Sequence, residues 1–338
     1  ELTKPSIQKT LRYGTLGSWI LYHLTGREMI VTDIATASCW GCMGLETEKW
    51  DPFCCQEFGV DPKQLPTIQP IQSKPEQGRR TRGFVPLPDD IPITCLVNET
   101  VGLMEGLDCQ SYGQGVLYND NPARIYINIG QESIPKGFHG SKECYKVDNN
   151  TQYYSVTAQT QLIQPLPTFM CPSLDKSIKL DQFLESYSDA GGVYMYPQDK
   201  KKEKSNIIGV DHKTQTGQLL RAYYDALTFQ LKEWLHQLEK DLGFYIKALS
   251  ITGPLAHSDQ LVQLQADVCQ ISLTRFKCQD PVIQGASRLT RPKEPHASKT
   301  SSKKVSKTDQ IKIETCFQPH LDPISCLVRY NEWNQNKP

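Results

Sequence analysis

The stretch from Ile91 to Gly130 limits the fold more than any other part of the chain. Ile91 to Val97 is a short apolar run bounded by Pro88, Asp89 and Asp90, which suits a buried strand. A carboxylate, Glu99, follows as that strand ends. Val101 to Gly106 is small and apolar and suits the start of a packed helix, and Arg124 to Ile129 alternates as a second strand. A carboxylate at the end of a buried strand is where an α/β enzyme often keeps a base, so Glu99 is the first candidate catalytic residue.

The clearest helix is Gly217 to Leu242, where Leu220, Tyr223, Leu227, Leu231, Trp234, Leu235, Leu238 and Leu242 recur at three and four. A shorter one follows Gly14, with Leu16, Trp19, Ile20 and Leu24 on one packed face and Gly26 to cap it. Leu180 to Ser186 suits a short helix, and Ser188 to Pro197 a turn into a strand. Ser258 is placed to N-cap a helix carrying Leu261, Leu264 and Val268, and Asp322-Pro323 opens a terminal helix. Between these lie polar stretches. Residues 70–90, with Arg79-Arg80-Thr81-Arg82, read as a solvated linker. Gln131 to Leu180 reads as irregular, since Pro165, Pro167 and Pro172 argue against a helix. Lys200 to Lys204 reads as a solvated loop. Arg288 to Asp309 reads as a disordered, basic loop whose Lys303, Lys304 and Lys307 would suit an acidic surface.

With 338 residues, 38% of them hydrophobic, the chain can fill one or two packed domains. Its formal net charge of +0 gives no general argument for nucleic acid or a membrane, and no apolar run reaches the ~18 residues of a membrane span. The 12 cysteines are scattered and read as free, buried thiols in a reducing compartment. Cys39, Cys42, Cys54 and Cys55 make a poor zinc set, because adjacent cysteines rarely both reach one tetrahedral ion and no His pair follows. No metal site is expected. The chain opens on Glu1 without a secretory signal and reads as part of a longer protein. The expected compartment is the cytoplasm, with a mitochondrial surface or another intracellular site still open.

The order of motifs resembles the carbohydrate kinases of the FGGY family, and within them the glycerol kinases. Gly14-Thr15-Leu16-Gly17-Ser18-Trp19 to Leu24-Thr25-Gly26, Thr32-Asp33, Trp50-Asp51, Phe58-Gly59-Val60 and Leu65-Pro66 follow the later part of the family's first domain. Ile91-Pro92-Ile93 to Thr100, Ser188 to Pro197, Leu220 to Gln230, Val262 to Asp267, Gly285-Ala286-Ser287 and Phe317-Gln318-Pro319 follow its second. The resemblance implies an α/β, actin-like ATPase (ribonuclease H-like) two-domain kinase fold with an incomplete first domain. Residues 1–85 would be the remainder of that domain. Residues 86–338 would be the second, with loops at 131–180 and 288–309.

The same resemblance assigns roles. The family's catalytic Asp falls on Glu99, one methylene longer, and its partner Gln on Thr100, so these two stand at the base and substrate position. The glycine-rich phosphate loop falls on Asp120, Asn121 and Pro122. There a carboxylate repels phosphate, and Pro122 has no N–H to donate. The Gly-Gly turn near the adenosine falls on Gly253 and Pro254, and the Asn that contacts the base falls on Ser258. Phosphoryl transfer needs a base, a phosphate cradle with Mg²⁺ and a nucleotide pocket. The frame is therefore kept while the working residues change. A pseudokinase retained for binding or assembly is the favoured expectation, with no cofactor. An active ATP-dependent kinase of glycerol or a related polyol or sugar, using ATP and Mg, is the alternative. A protein partner and oligomerisation remain open.

Overall fold

The computed structural model describes residues 11–72, 79–83, 86–132, 141–148, 151–161, 163, 180–197, 206–290 and 311–337. Its centre is a seven-stranded sheet. The strands are β5 (Gly115–Tyr118), β6 (Arg124–Asn128), β7 (Ser141–Asp148), β8 (Thr151–Gln159), β11 (Ala248–Thr252), β12 (Ser272–Phe276) and β13 (Ile313–Phe317), in the order β13-β12-β11-β5-β6-β8-β7. β5, β11 and β12 run parallel, and the remaining pairs are antiparallel. Two strands, β9 (Tyr194–Met195) and β10 (Ile207–Ile208), pair separately.

Alternation along the strands feeds two cores. Leu117, Ile125 and Ile127 face one side, with Leu249, Ile251 and Leu273. They pack on Leu231, Leu235 and Leu238 of the long helix Thr216–Leu242 and on Val262 and Ala266 of the helix Asp259–Cys269. Val116 and Tyr126 face the other side, against Leu103, Met104 and Leu107. The long helix forms as its apolar period requires and stops at Gly243, whose φ of 74° gives a left-handed cap.

The N-terminal residues build a smaller unit around two parallel strands, β1 (Val31–Asp33) and β4 (Thr67–Gln69). A hairpin of β2 (Met43–Gly44) and β3 (Lys49–Trp50) joins them. In chain order the helices are α1 (Leu16–Leu24), α2 (Ile34–Ser38), α3 (Pro52–Glu57), α4 (Glu99–Gly106), α5 (Leu180–Ser186), α6 (Thr216–Leu242), α7 (Asp259–Cys269), α8 (Pro281–Thr290) and α9 (Pro323–Gln335). The core of the smaller unit, with Ile34, Ala37, Met43 and Ile71, also takes in Val101 of α4 and Leu289 of α8.

Several expectations are corrected. Ile91–Val97 is not a strand of the sheet. It makes only single bridges, Pro92 to Arg80 and Cys95 to Gln72, and its Cys95 and Val97 pack into the smaller core. Pro92 cannot donate to a ladder, and both sides of β5 are already taken by β6 and β11. Residues 131–180 are not irregular throughout, since β7 and β8 pair over most of their length. Arg79 and Thr81 are buried, so that part of residues 70–90 is not a solvated linker. The face of α1 is reversed: Leu16, Trp19 and Ile20 are exposed, and Ser18 and Leu21 are buried. Arg288 lies in α8 and bonds to the Glu105 carbonyl at 2.8 Å. The proline-rich stretch 164–167, Pro172, Lys200–Lys204 and the loop lysines at 303, 304 and 307 lie outside the described residues. No helix among the described residues is long and apolar enough to cross a membrane.

Candidate functional site

The sheet itself gathers the candidate residues. Tyr118 ends β5, Thr252 ends β11, and the two are partners in the register. Because β5 and β11 are parallel, the segments after them leave the sheet at one end. Open α/β sheets place their working groups at the carboxyl ends of parallel strands. Asn119 to Pro122 follow β5, and Gly253 to Ser258 follow β11. Arg124 begins the antiparallel β6 at that same end, opposite Tyr118.

Glu99 does not sit at the end of a strand. It is the first residue of α4, whose N-cap is Asn98, with Oδ1 accepting from the Val101 amide at 2.9 Å. Its exposed carboxylate meets Arg124, Oε2 to Nη1, at 3.4 Å. The guanidinium of Arg124 lies over the Tyr118 ring, 4.5 Å from its centroid. Burial alone would lower the proton affinity of Arg124, but Tyr126, Glu99 and Tyr118 together raise it. Thr100, beside Glu99, is buried.

Asp120, Asn121 and Pro122 form a loop that is bonded to itself and to the protein. Asp120 Oδ1 accepts from the Asn121 amide at 2.8 Å. The Asn121 side chain donates to the Ile163 carbonyl at 2.5 Å and to the Tyr223 hydroxyl at 2.9 Å, and accepts from the Ile163 amide at 3.0 Å. Behind it, the buried amides of Asn119 and Gln265 bond reciprocally at 2.8 and 3.0 Å.

Gly253 has φ of 104°, and a Cβ there would stand 2.7 Å from the Asn119 carbonyl oxygen. Only glycine fits, so packing alone explains its presence. Pro254 opens a short 3-10 turn, Pro254–His257, whose Ala256 carbonyl accepts from Arg275 at 2.9 Å. Ser258 caps α7, accepting from the Leu261 amide at 3.1 Å, and donates to Asp181 Oδ1 at 2.5 Å. Asp181, from α5, also takes the Gln260 amide. Ser258 is thus committed to helix capping and to a carboxylate.

The structure therefore brings the two loops together at one end of the sheet and links Glu99 to it through Arg124. Sequence reasoning missed Arg124, Tyr118, Asp181 and Arg275 as parts of this arrangement. None of them carried a sequence signature, because each reaches its partner only through the sheet register or the packing of distant elements. Deeper in, Asp33 caps α2 through the Thr36 amide at 2.9 Å, and burial raises its carboxyl pKa. Arg79 is buried, burial lowers its pKa, and its Nε and Nη1 have no hydrogen-bond partner among the described residues. Among the described residues, no group of three or more His, Cys, Asp or Glu is placed to hold a metal ion.

Comparison with known proteins agrees with this architecture. Residues 148–290 match the FGGY family of carbohydrate kinases, C-terminal domain. Glycerol kinases of Corynebacterium kroppenstedtii and Corynebacterium glutamicum are 23% and 24% identical over 96% of this chain. The chain spans 66% of the length of each, just under two thirds. Plasmodium falciparum glycerol kinase, solved with ADP, superposes with a TM-score of 0.78 at 18% identity, covering 98% of this chain and 68% of that one. A xylulose kinase of Lactobacillus acidophilus superposes with a TM-score of 0.70 at 17% identity, covering 96% and 66%. In fold the chain is similar to the actin-like ATPase architecture of these kinases, and in sequence to the glycerol kinases and, over residues 148–290, to the FGGY family of carbohydrate kinases.

Proposed function

We propose that this chain is a pseudokinase, a kinase scaffold retained for binding or assembly. The observation that carries the reading is the loop at Asp120–Pro122. Phosphate cradles work through backbone N–H groups free to point at the ligand. Pro122 has none, and the Asn121 amide is already bonded to the Asp120 carboxylate at 2.8 Å. A nucleotide phosphate brought here would meet a negative side chain in place of a donor. The turn at Gly253-Pro254 and the commitment of Ser258 to Asp181 support the same conclusion for the adenosine side. ATP and Mg²⁺ therefore do not fit the residues present, and no catalytic step is derived through them.

The alternative is an active kinase of glycerol or a related polyol or sugar. Its support is Glu99, a carboxylate exposed at the head of α4. Residues 1–85 would then remain from a first domain and residues 86–338 form the second. Free cysteines among the described residues support a reducing, cytoplasmic compartment. The test is ADP release by the full-length protein with glycerol and Mg-ATP. We expect no glycerol-dependent signal, and no difference between wild type and Glu99→Gln. A general base contributes about 10²–10⁴-fold. Glycerol-dependent turnover that Glu99→Gln removes would establish the alternative instead.

A further inference from the structure

A cavity of about 210 Å³ lies between α6, α9 and the turn that leads into β9, and none of the residues gathered at the sheet end lines it. Part of its lining is apolar, with Phe229 of α6 and Trp333 of α9 both buried. Its charged wall is Asp225, Arg329 and Glu332, with Tyr194 and the exposed Asp189 beside them. Asp225 accepts from Arg221 and from Arg329, so two guanidinium groups share one carboxylate and one positive charge stays unbalanced. Arg329 uses only Nη2 on Asp225, and its Nε and Nη1 have no acceptor among the described residues. Glu332 stands three residues further along α9, on the same face. It accepts the Tyr194 hydroxyl at 3.3 Å and meets no cation among the described residues. Lys337, in the next turn, pairs with Glu233 instead, at 2.7 Å. Arg329 and Glu332 therefore share a cavity and a helix face, yet make no ion pair with each other. Asp189 is committed to its own turn, where Oδ1 accepts from the Gly191 amide at 2.7 Å.

A half-used guanidinium fork and an unpaired carboxylate, separated beside an apolar hollow, select a ligand with the complementary charges. A simple anion would satisfy Arg329 but be repelled by Glu332, and a simple cation would meet the reverse. A molecule with a carboxylate and an ammonium on one carbon, and an apolar tail, satisfies the fork, the carboxylate and the aromatic lining together. We infer that this cavity is a binding site for a free α-amino acid with an apolar side chain. The ligand's carboxylate lies on Arg329, its ammonium on Glu332, and its side chain against Phe229 and Trp333. The site is separate from the candidate kinase site and does not depend on whether the chain turns over nucleotide.

Calorimetric titration of the full-length protein without nucleotide tests this, using L-leucine and L-phenylalanine with three truncated probes. Isocaproate is leucine without its ammonium, isoamylamine is leucine without its carboxylate, and glycine lacks the tail. The expected result is saturable binding of L-leucine or L-phenylalanine, about tenfold or more tighter than any truncated probe. Glu332→Gln should weaken L-leucine about tenfold and leave isocaproate no weaker, so that the two converge. Arg329→Gln should weaken L-leucine about tenfold, and Arg329→Lys, which keeps the charge but loses the fork, should fall between. Absence of saturable binding by both amino acids at about 10 mM would overturn the inference. So would isocaproate or isoamylamine binding as tightly as L-leucine, or L-leucine binding indifferent to Glu332→Gln. Glycine binding as tightly as L-leucine would overturn the apolar assignment. Melting curves show whether each variant is folded, and Glu332→Gln, at an exposed position, keeps the test valid if Arg329→Gln is not.

Discussion

Replacing Asp225 with Ala should cost about 3–5 kcal/mol of folding stability, the range for breaking a buried ion pair. Asp225 lies in the middle of α6 and is 6% exposed. Its Oδ1 accepts from Arg221 Nε at 3.0 Å, and its two oxygens accept from Arg329 Nη2 at 3.2 and 3.1 Å. Arg221 is as buried as its partner and has one further bond, to the Tyr187 carbonyl at 2.8 Å. Without the carboxylate a buried cation loses its counter-charge, and α9 loses an anchor on α6. Arg329→Gln should cost much less, because that side chain is 30% exposed and can reach water. Urea unfolding should show the midpoint falling with the slope unchanged. A loss under about 1 kcal/mol for Asp225→Ala would mean that the triad contributes little beyond its own desolvation.

The second large effect is at the crossing of α4 and α8. A Cβ on Gly106 would stand 1.8 Å from the Pro281 carbonyl oxygen, and one on Gly285 would stand 1.9 Å from the Gly102 carbonyl oxygen. Both obstacles are backbone, so no rotamer change relieves them. On helix propensity alone, Gly→Ala should stabilise by about 1 kcal/mol. Overpacking costs about 1–3 kcal/mol, and a clash with backbone belongs at the upper end. Clash outweighs propensity, and Gly106→Ala and Gly285→Ala should each destabilise by about 2 kcal/mol net. The sign is the diagnostic. A rise in the unfolding midpoint of either variant would show that the helices separate easily, and that the position of Glu99 at the head of α4 is not fixed by this contact.

Much of the fold was legible because the signals were local. The period of α6, the Ser258 cap and the Asp322-Pro323 start each need only a few neighbouring residues, and each appears where the sequence puts it. Errors arose where pairing decides. Ile91–Val97 has a strand's composition, but whether it enters the sheet depends on β11 occupying the place beside β5, far along the chain. β7 and β8 were hidden by polar residues and by the prolines after them, and β7, at the sheet edge, carries the weak apolar signal of an edge strand. The amphipathic period of α1 was read correctly as helical, but a period does not say which side is covered.

The candidate site divides in the same way. Pro122 without an N–H and the negative charge of Asp120 are local facts, and the expectation of a poor phosphate cradle came from them once the family resemblance placed the loop there. The contact between Ser258 and Asp181 joins residues 77 apart. The grip of Arg124 on Glu99 depends on the β5–β6 register and on where α4 begins. Neither spacing carries a sequence signature.

Isothermal titration of the full-length protein with Mg-ATP tests the central claim most directly. With Pro122 unable to donate, the Asn121 amide held by Asp120, and Ser258 held by Asp181, no saturable heat should appear up to millimolar nucleotide. Saturable binding below a millimolar would contradict it.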